Sequence, residues 1–228
     1  MQNTDFLMLL IFAHLMGDYV LQTSNIAKKK AKSARGIVTH GIIVFFASAV
    51  FLGNYGLIGE MAAITISIIH FAIDYAKMKT KKYCKHESIH NIADQMLHLL
   101  VIIICYLFFK DMLEEPVIKL KYIGMCNYLI IITYVSTVIT KNILCDICEK
   151  RPQCNFFLKY ERIFDFFIVL IAVLSFFNVL TGAAVSAIAA TAFYLAETKY
   201  FKYSPRQAVL KAVIYIAFAC VFRFLTNY

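Results

Sequence analysis

Apolar runs near 5–22, 37–53, 57–77, 89–109, 123–141, 163–181, 183–199 and 208–226 alternate with short polar stretches, most of them basic. Several runs are nearer seventeen than twenty residues, the short end of what crosses a bilayer as a helix. The pattern predicts an all-α fold, a polytopic transmembrane bundle of about eight helices. Seven is the alternative count, because only Thr181-Gly182 separates the sixth run from the seventh and the two could form a re-entrant pair. The first run does not read as a cleavable signal peptide. It lacks a basic start and a small-residue cleavage site, and it carries His14 and Asp18.

Composition agrees with the pattern. The 228 residues are 61% hydrophobic and only 16% charged, where a soluble domain carries roughly 25% charged residues. No low-complexity stretch or long linker divides the chain, so it reads as one transmembrane domain over 1–228. Residues 1–110 would hold four helices with the polar site, and 111–228 the helices that buttress them.

The net charge of +9 changes the picture only through its distribution. Lys28, Lys29, Lys30, Lys32 and Arg35 lie in the loop 23–36, and Lys77, Lys79, Lys81, Lys82 and Lys85 in the loop 77–90. Five more basic residues fall in 141–162 and three in 199–207, so alternate loops hold 18 of the 23. The positive-inside rule places those loops in the cytoplasm of a multi-pass inner or plasma membrane protein. Both termini then face outward, and the neighbour of the excess charge is anionic lipid. No glycine-rich phosphate loop is present, and nucleic acid is not an expected partner.

The rare polar residues of the apolar runs are ordered. His14-x-x-x-Asp18, His70-x-x-x-Asp74 and Asp94-x-x-x-His98 each set a His and an Asp one helical turn apart on one face. The last two pairs are mirrored across the loop 77–90, so an antiparallel hairpin sets Asp level with Asp and His level with His. His40 opens the second run. Counted at about 1.5 Å per residue, all seven lie within about 12 Å of the cytoplasmic helix ends. Ionisable groups at such depth must be paired, hydrated or bound to an ion. Four imidazoles and three carboxylates are the ligand types of zinc, with manganese or iron as alternatives. Gly17, between the first His and Asp, allows a neighbouring helix or a substrate to approach closely.

The order His14-Leu-x-Gly-Asp18-x-x-Leu-Gln22, a lysine-rich loop, His40, His70-x-x-x-Asp74 and Asp94-Gln-x-x-His98 resembles the bacterial membrane family known as domain of unknown function 3307. The match covers the first 110 residues well, and Tyr160-Glu161-Arg162 is similar to a second, weaker motif of that family. The resemblance implies a membrane location and a shared polar site, and no established reaction. A more distant similarity is to bacterial inner-membrane metal-dependent hydrolases with His-x-x-x-Asp helices, by analogy alone.

The preferred reading is a membrane-embedded, metal-dependent hydrolase. It acts on a membrane lipid or a lipid-linked ester or phosphoester at the cytoplasmic leaflet. His14, Asp18, His70, Asp74, Asp94 and His98 are the expected metal ligands. Asp18 or Asp94 is the expected general base, and His40 the acid for the leaving group. Two other classes stay open: an ion, proton or small-solute transporter, and a non-enzymatic membrane module in which the His–Asp pairs fasten helices together. The oligomeric state is open.

The remaining polar residues read more plainly. Cys145-x-x-Cys148 with Cys154 is half of a zinc knuckle without its second half. The odd count of seven cysteines, with Cys84, Cys145, Cys148 and Cys154 in cytoplasmic loops, fits reduced thiols. Cys105, Cys126 and Cys220 read as small core residues. His90 reads as solvated, Glu60 and Tyr19 as interfacial, and Glu197 and Lys199 as snorkelling to the membrane surface.

Overall fold

A computed structural model describes residues 2–80, 87–118, 122–147, 193–195, 197–199 and 203–214. All regular structure among them is helical. The chain divides into two compact units, Met1–Ile130 and Ile131–Tyr228.

In the first unit, α1 (Gln2–Leu15) runs into a π-helical turn, Met16–Val20. A short helix α2 (Ser24–Lys30) follows, then α3 (Ala34–Leu52), α4 (Gly56–Thr80), α5 (Glu87–Phe109) and α6 (Ile123–Ile130). The helices of four apolar runs thus appear near where the pattern set them. The segment 23–36, expected to be a plain loop, contains α2. Its cause is local: Thr23 caps the start by accepting from the Ile26 amide at 3.4 Å, and Ala27 with three lysines then extends a turn of good helix formers. Ser33 caps α3 by accepting from the Gly36 amide at 3.1 Å.

A 3-10 turn, Gly53–Tyr55, folds α4 back along α3. Gly56, at φ 60°, ends that turn in a backbone region that favours glycine. α1, α3, α4 and α5 form the body of the unit. α6 joins α1, where Asn127 Nδ2 donates to the Met8 carbonyl at 2.8 Å.

The interior is layered along the helices. At one end Phe6, Leu9, Leu52, Ala62, Ile102 and Phe109 form an apolar core, with Phe6 and Tyr55 packed edge to face at 5.0 Å between ring centres. At the other end the interior is polar, with the seven His and Asp side chains all buried. The outer faces are as apolar as the core. Ile42, Phe46 and Val50 of α3, Leu57 and Ile68 of α4, and Leu100, Ile104 and Phe108 of α5 are all exposed. Two helical stretches, 34–80 with its internal turn and 88–112, are long and apolar enough to cross a membrane.

In the second unit a π-helical turn, Ile131–Val135, leads into α7 (Ser136–Ile147). The predicted run 163–181, residues 183–192 of the run 183–199, the Tyr160-Glu161-Arg162 motif and the end of the last run lie outside the described residues, as do Cys84, Cys148, Cys154 and Cys220. Glu197 does not snorkel as its position suggested. It is fully buried against Lys211, whose Nζ donates to its Oε1 at 2.8 Å. The same ammonium lies 5.5 Å and 5.2 Å from the ring centres of Phe193 and Tyr203, within reach of a cation–π attraction.

Candidate metal centre

Four helices deliver the polar cluster, and each delivers it for a sequence-level reason. His14 leaves the last turn of α1, and Asp18 lies in the π turn just after it. Single π turns are frequent at functional sites because they re-aim side chains within a helix. Gly17 lets this turn sit against α3: a Cβ there would lie 2.9 Å from Val44 Cγ2 and 3.2 Å from Val44 Cα. The close helix approach expected at Gly17 is therefore present.

At the centre, four donor atoms converge. His40 Nε2 lies 2.9 Å from Asp18 Oδ1 and 3.1 Å from His70 Nε2. His70 Nε2 lies 3.2 Å from Asp18 Oδ1 and 3.3 Å from Asp74 Oδ2. His40 Nε2 to Asp74 Oδ2 closes the set at 3.6 Å. Each of these contacts joins nitrogens and oxygens that would serve equally well as metal ligands.

A second group adjoins the first. Asp74, Asp94 and His98 bring ligand atoms within 4.8 Å of one another, as do His14, Asp18 and His70. The rings of His70 and His98 lie 4.2 Å apart, and those of His14 and His98 stack at 5.1 Å. The mirrored pairs of α4 and α5 thus meet as expected. His98 Nδ1 donates to the Asp94 carbonyl at 2.8 Å, which fixes the ring tautomer and leaves Nε2 a bare lone pair. That Nε2 is buried with no hydrogen-bond partner, as is Asp74 Oδ1. Such an imidazole, held by a backbone carbonyl at one nitrogen and open at the other, is the usual arrangement of a metal-ligating histidine.

Three further residues belong to the cluster, and their sequence context did not single them out. Lys30 Nζ lies 2.8 Å from Asp74 Oδ2 and 3.9 Å from Asp18 Oδ1. Lys77 Nζ donates to Asp94 Oδ2 at 2.7 Å. Gln95 Nε2 donates to Asp18 Oδ2 and Asp94 Oδ2, each at 3.3 Å, and its Oε1 lies 3.4 Å from His14 Nε2. Burial lowers the Lys30 pKa, but Asp18 and Asp74 outweigh it and hold the ammonium above the ordinary lysine value. Tyr19, read as interfacial, is buried beside Asp18. His90 stays apart from the cluster, 3.2 Å from Thr80 Oγ1.

A family model described as a protein of unknown function, DUF3307, matches residues 6–123. That span is more than half of the chain. The chain belongs to the DUF3307 family. No curated protein matches it, and no solved structure does. The DUF3307 span contains all seven His and Asp residues of the cluster together with Lys30, Lys77 and Gln95.

Proposed function

We propose that this DUF3307 protein is a multi-pass membrane protein whose His/Asp cluster holds a divalent transition metal ion and hydrolyses a lipid-borne ester or phosphoester at the cytoplasmic leaflet. One observation carries the metal: His40 Nε2 and His70 Nε2 lie 3.1 Å apart, and each lies 2.9–3.6 Å from both Asp18 Oδ1 and Asp74 Oδ2. Zinc bonds of about 2.0–2.1 Å at tetrahedral angles set neighbouring ligand atoms about 3.3 Å apart. Two imidazole nitrogens facing each other at 3.1 Å need a proton or a cation between them. Zinc is the preferred ion, with manganese and iron as alternatives. In this arrangement His40 is a ligand, while His14 and His98 are available to a second ion.

The membrane reading rests on the inside-out distribution of polarity. Polar groups fill one end of the interior, while leucine, isoleucine and phenylalanine cover the outside. Bundles in water do not expose whole helix faces of this kind, and bundles in lipid do. Basic loops at the polar end orient the site toward the cytoplasm.

The chemistry follows from which groups remain uncommitted. A bound divalent ion lowers the pKa of a coordinated water toward about 7. Asp94 Oδ1 is buried without a hydrogen-bond partner, so this oxygen can take a proton from the water while Oδ2 stays held by Lys77 and Gln95. The water oxygen bonds to the carbonyl carbon or phosphorus, the bond to the leaving oxygen breaks, and Asp94 passes the proton to that oxygen. The test compares the lipids of cells making the wild type with those of cells making Asp94→Asn, together with purified protein on extracted lipids. A lipid consumed by wild type alone, in zinc or manganese, supports the reading. No difference in any lipid species ends it.

A second reading is favoured by Lys30. Its ammonium already sits against Asp74 and Asp18, so the cluster can also close as a network of ion pairs that fastens the helices. Metal content separates the two readings. A metal centre yields about one equivalent or more of transition metal from purified protein, lost in His70→Ala/Asp74→Ala, whereas an ion-pair network yields none in either.

A further inference from the structure

Two ammonium groups reach into the acidic side of the cluster from the loop end of the helices. The backbone carrying Lys30 is held firmly. A Cβ on Gly36 would collide with the backbone of Lys29 and Lys30, and Ser33 Oγ donates to the Lys29 carbonyl at 3.2 Å. Packing of α2 on α3 therefore sets the position of the Lys30 backbone. Lys77 stands on α4 nearly one turn beyond Asp74. The side chains of Lys30 and Lys77 keep 15% and 25% exposure, while Asp74 and Asp94, which they touch, keep 0% and 4%. The two partly exposed lysine side chains therefore lie on the solvent side of the cluster, with the carboxylates buried beneath them.

Charge shows what this side of the cluster lacks. Asp18, Asp74 and Asp94 contribute −3 and Lys30 and Lys77 contribute +2, and imidazoles that ligate a metal add no charge. One divalent ion brings the balance to +1, and two bring it to +3. A buried net charge of that kind is costly unless a counter-charge enters with it. Once the carboxylates turn toward metal, both lysines also lose part of their present partner. A neutral ester or amide supplies no charge. A phosphate ester supplies one or two negative charges and oxygens that accept from ammonium donors.

We propose that Lys30 and Lys77 form an anion clamp on the solvent side of the metal centre, which selects phosphate esters over neutral esters and amides. The clamp rests on the metal reading above and narrows its substrate class. Lys29 and Lys32, exposed beside it, enrich anions there.

Phosphorus NMR of the full chain in a phosphorus-free detergent tests this. The protein is loaded with manganese, whose unpaired electrons broaden any phosphorus held next to it. Short-chain phosphatidic acid and inorganic phosphate are titrated in separate arms. The expected result is broadening in at least one arm. Broadening at lower phosphatidic acid than phosphate assigns the anion to a lipid headgroup, and equal response in both arms assigns it to soluble phosphate. Lys30→Gln/Lys77→Gln should bind roughly ten- to a hundredfold more weakly at unchanged manganese content. Lys30→Arg/Lys77→Arg should retain binding. If the double glutamine variant does not fold, Lys77→Gln alone carries the comparison. Manganese bound without phosphorus broadening, or glutamine variants that bind as wild type, overturns the clamp and leaves the metal centre standing. Failure to bind either manganese or zinc overturns both.

Discussion

His40 and His70, thirty residues apart on the two arms of one hairpin, face each other through their Nε2 atoms at 3.1 Å. Neither nitrogen points at solvent, and both lie within 3.2 Å of Asp18 Oδ1. Each ring therefore constrains what the other can bind. Helix glue would need only one His–Asp pair per contact, whereas this geometry gathers lone pairs around a point.

A stabilisation by metal follows. Wild type in detergent should unfold at higher temperature as zinc is added, gaining about 2.7 kcal/mol at a free concentration a hundred times the Kd. His40→Ala should lose that gain, since it removes one of four central donors. Thermal unfolding with and without a chelator measures both. Equal response of wild type and variant would remove His40 from the ligand set.

Lys30 sets an alkaline limit in metal-free protein. Its folded-state value is raised by Asp18 and Asp74 against the opposing effect of burial. Its contribution is then full below the unfolded lysine value of about 10.4 and is lost as pH rises through the folded value. Lys30→Met, which strips Asp74 of its ammonium, should cost about 3 kcal/mol at pH 8. The gap between wild type and variant should shrink on going to pH 11. A gap independent of pH would place the effect elsewhere.

Gly17 and Val44 should behave as a coupled pair. Gly17→Ala drives a methyl into Val44 at 2.9 Å and should destabilise by about 1–3 kcal/mol. Val44→Ala clears that space, so the double variant should recover part of the loss. Denaturant unfolding of the four proteins gives the coupling, which should exceed about 0.5 kcal/mol.

The orientation is checked by thiol labelling of a chain without native cysteines. Lys29 is exposed on α2 at the polar end, and Val117 is exposed beyond α5, where its amide donates to the Asn54 carbonyl at 3.0 Å. An impermeant reagent should label Lys29→Cys only in inverted vesicles and Val117→Cys only in intact cells. The reverse pattern would turn the proposed site away from the cytoplasm.

How much of this the sequence shows depends on whether a signal is periodic. A His and an Asp four apart in an apolar run must share a helix face, so all three pairs and their meeting were legible. His40 stood out because ionisable residues at the head of an apolar run are rare. Lys30 was not legible, because it is one of three consecutive lysines and only the fold of α2 decides which turns inward. Ser33 and Gly36 hold the only hint, as a cap and a close contact that fold α2 onto α3. Gln95 lies within the family motif, yet an amide between two helices has no spacing rule of its own. The π turn was equally hidden, since it differs from an α-helix by hydrogen-bond register and not by residue type. Glu197 misled because its partner Lys211 lies in a different segment.

Asp18 finally sets an order of events in biosynthesis. It emerges on the first helix, yet its partners Lys30, His40, His70 and Gln95 all follow it in the chain. A helix bearing an uncompensated carboxylate is poorly soluble in lipid. His14 precedes Asp18 on the same helix, and Lys30 is the first ammonium made, so a nascent chain halted soon after α2 already holds a full counter-charge for its opening helix. His40 and His70 arrive later, and Asp18 then keeps Lys30 beside them.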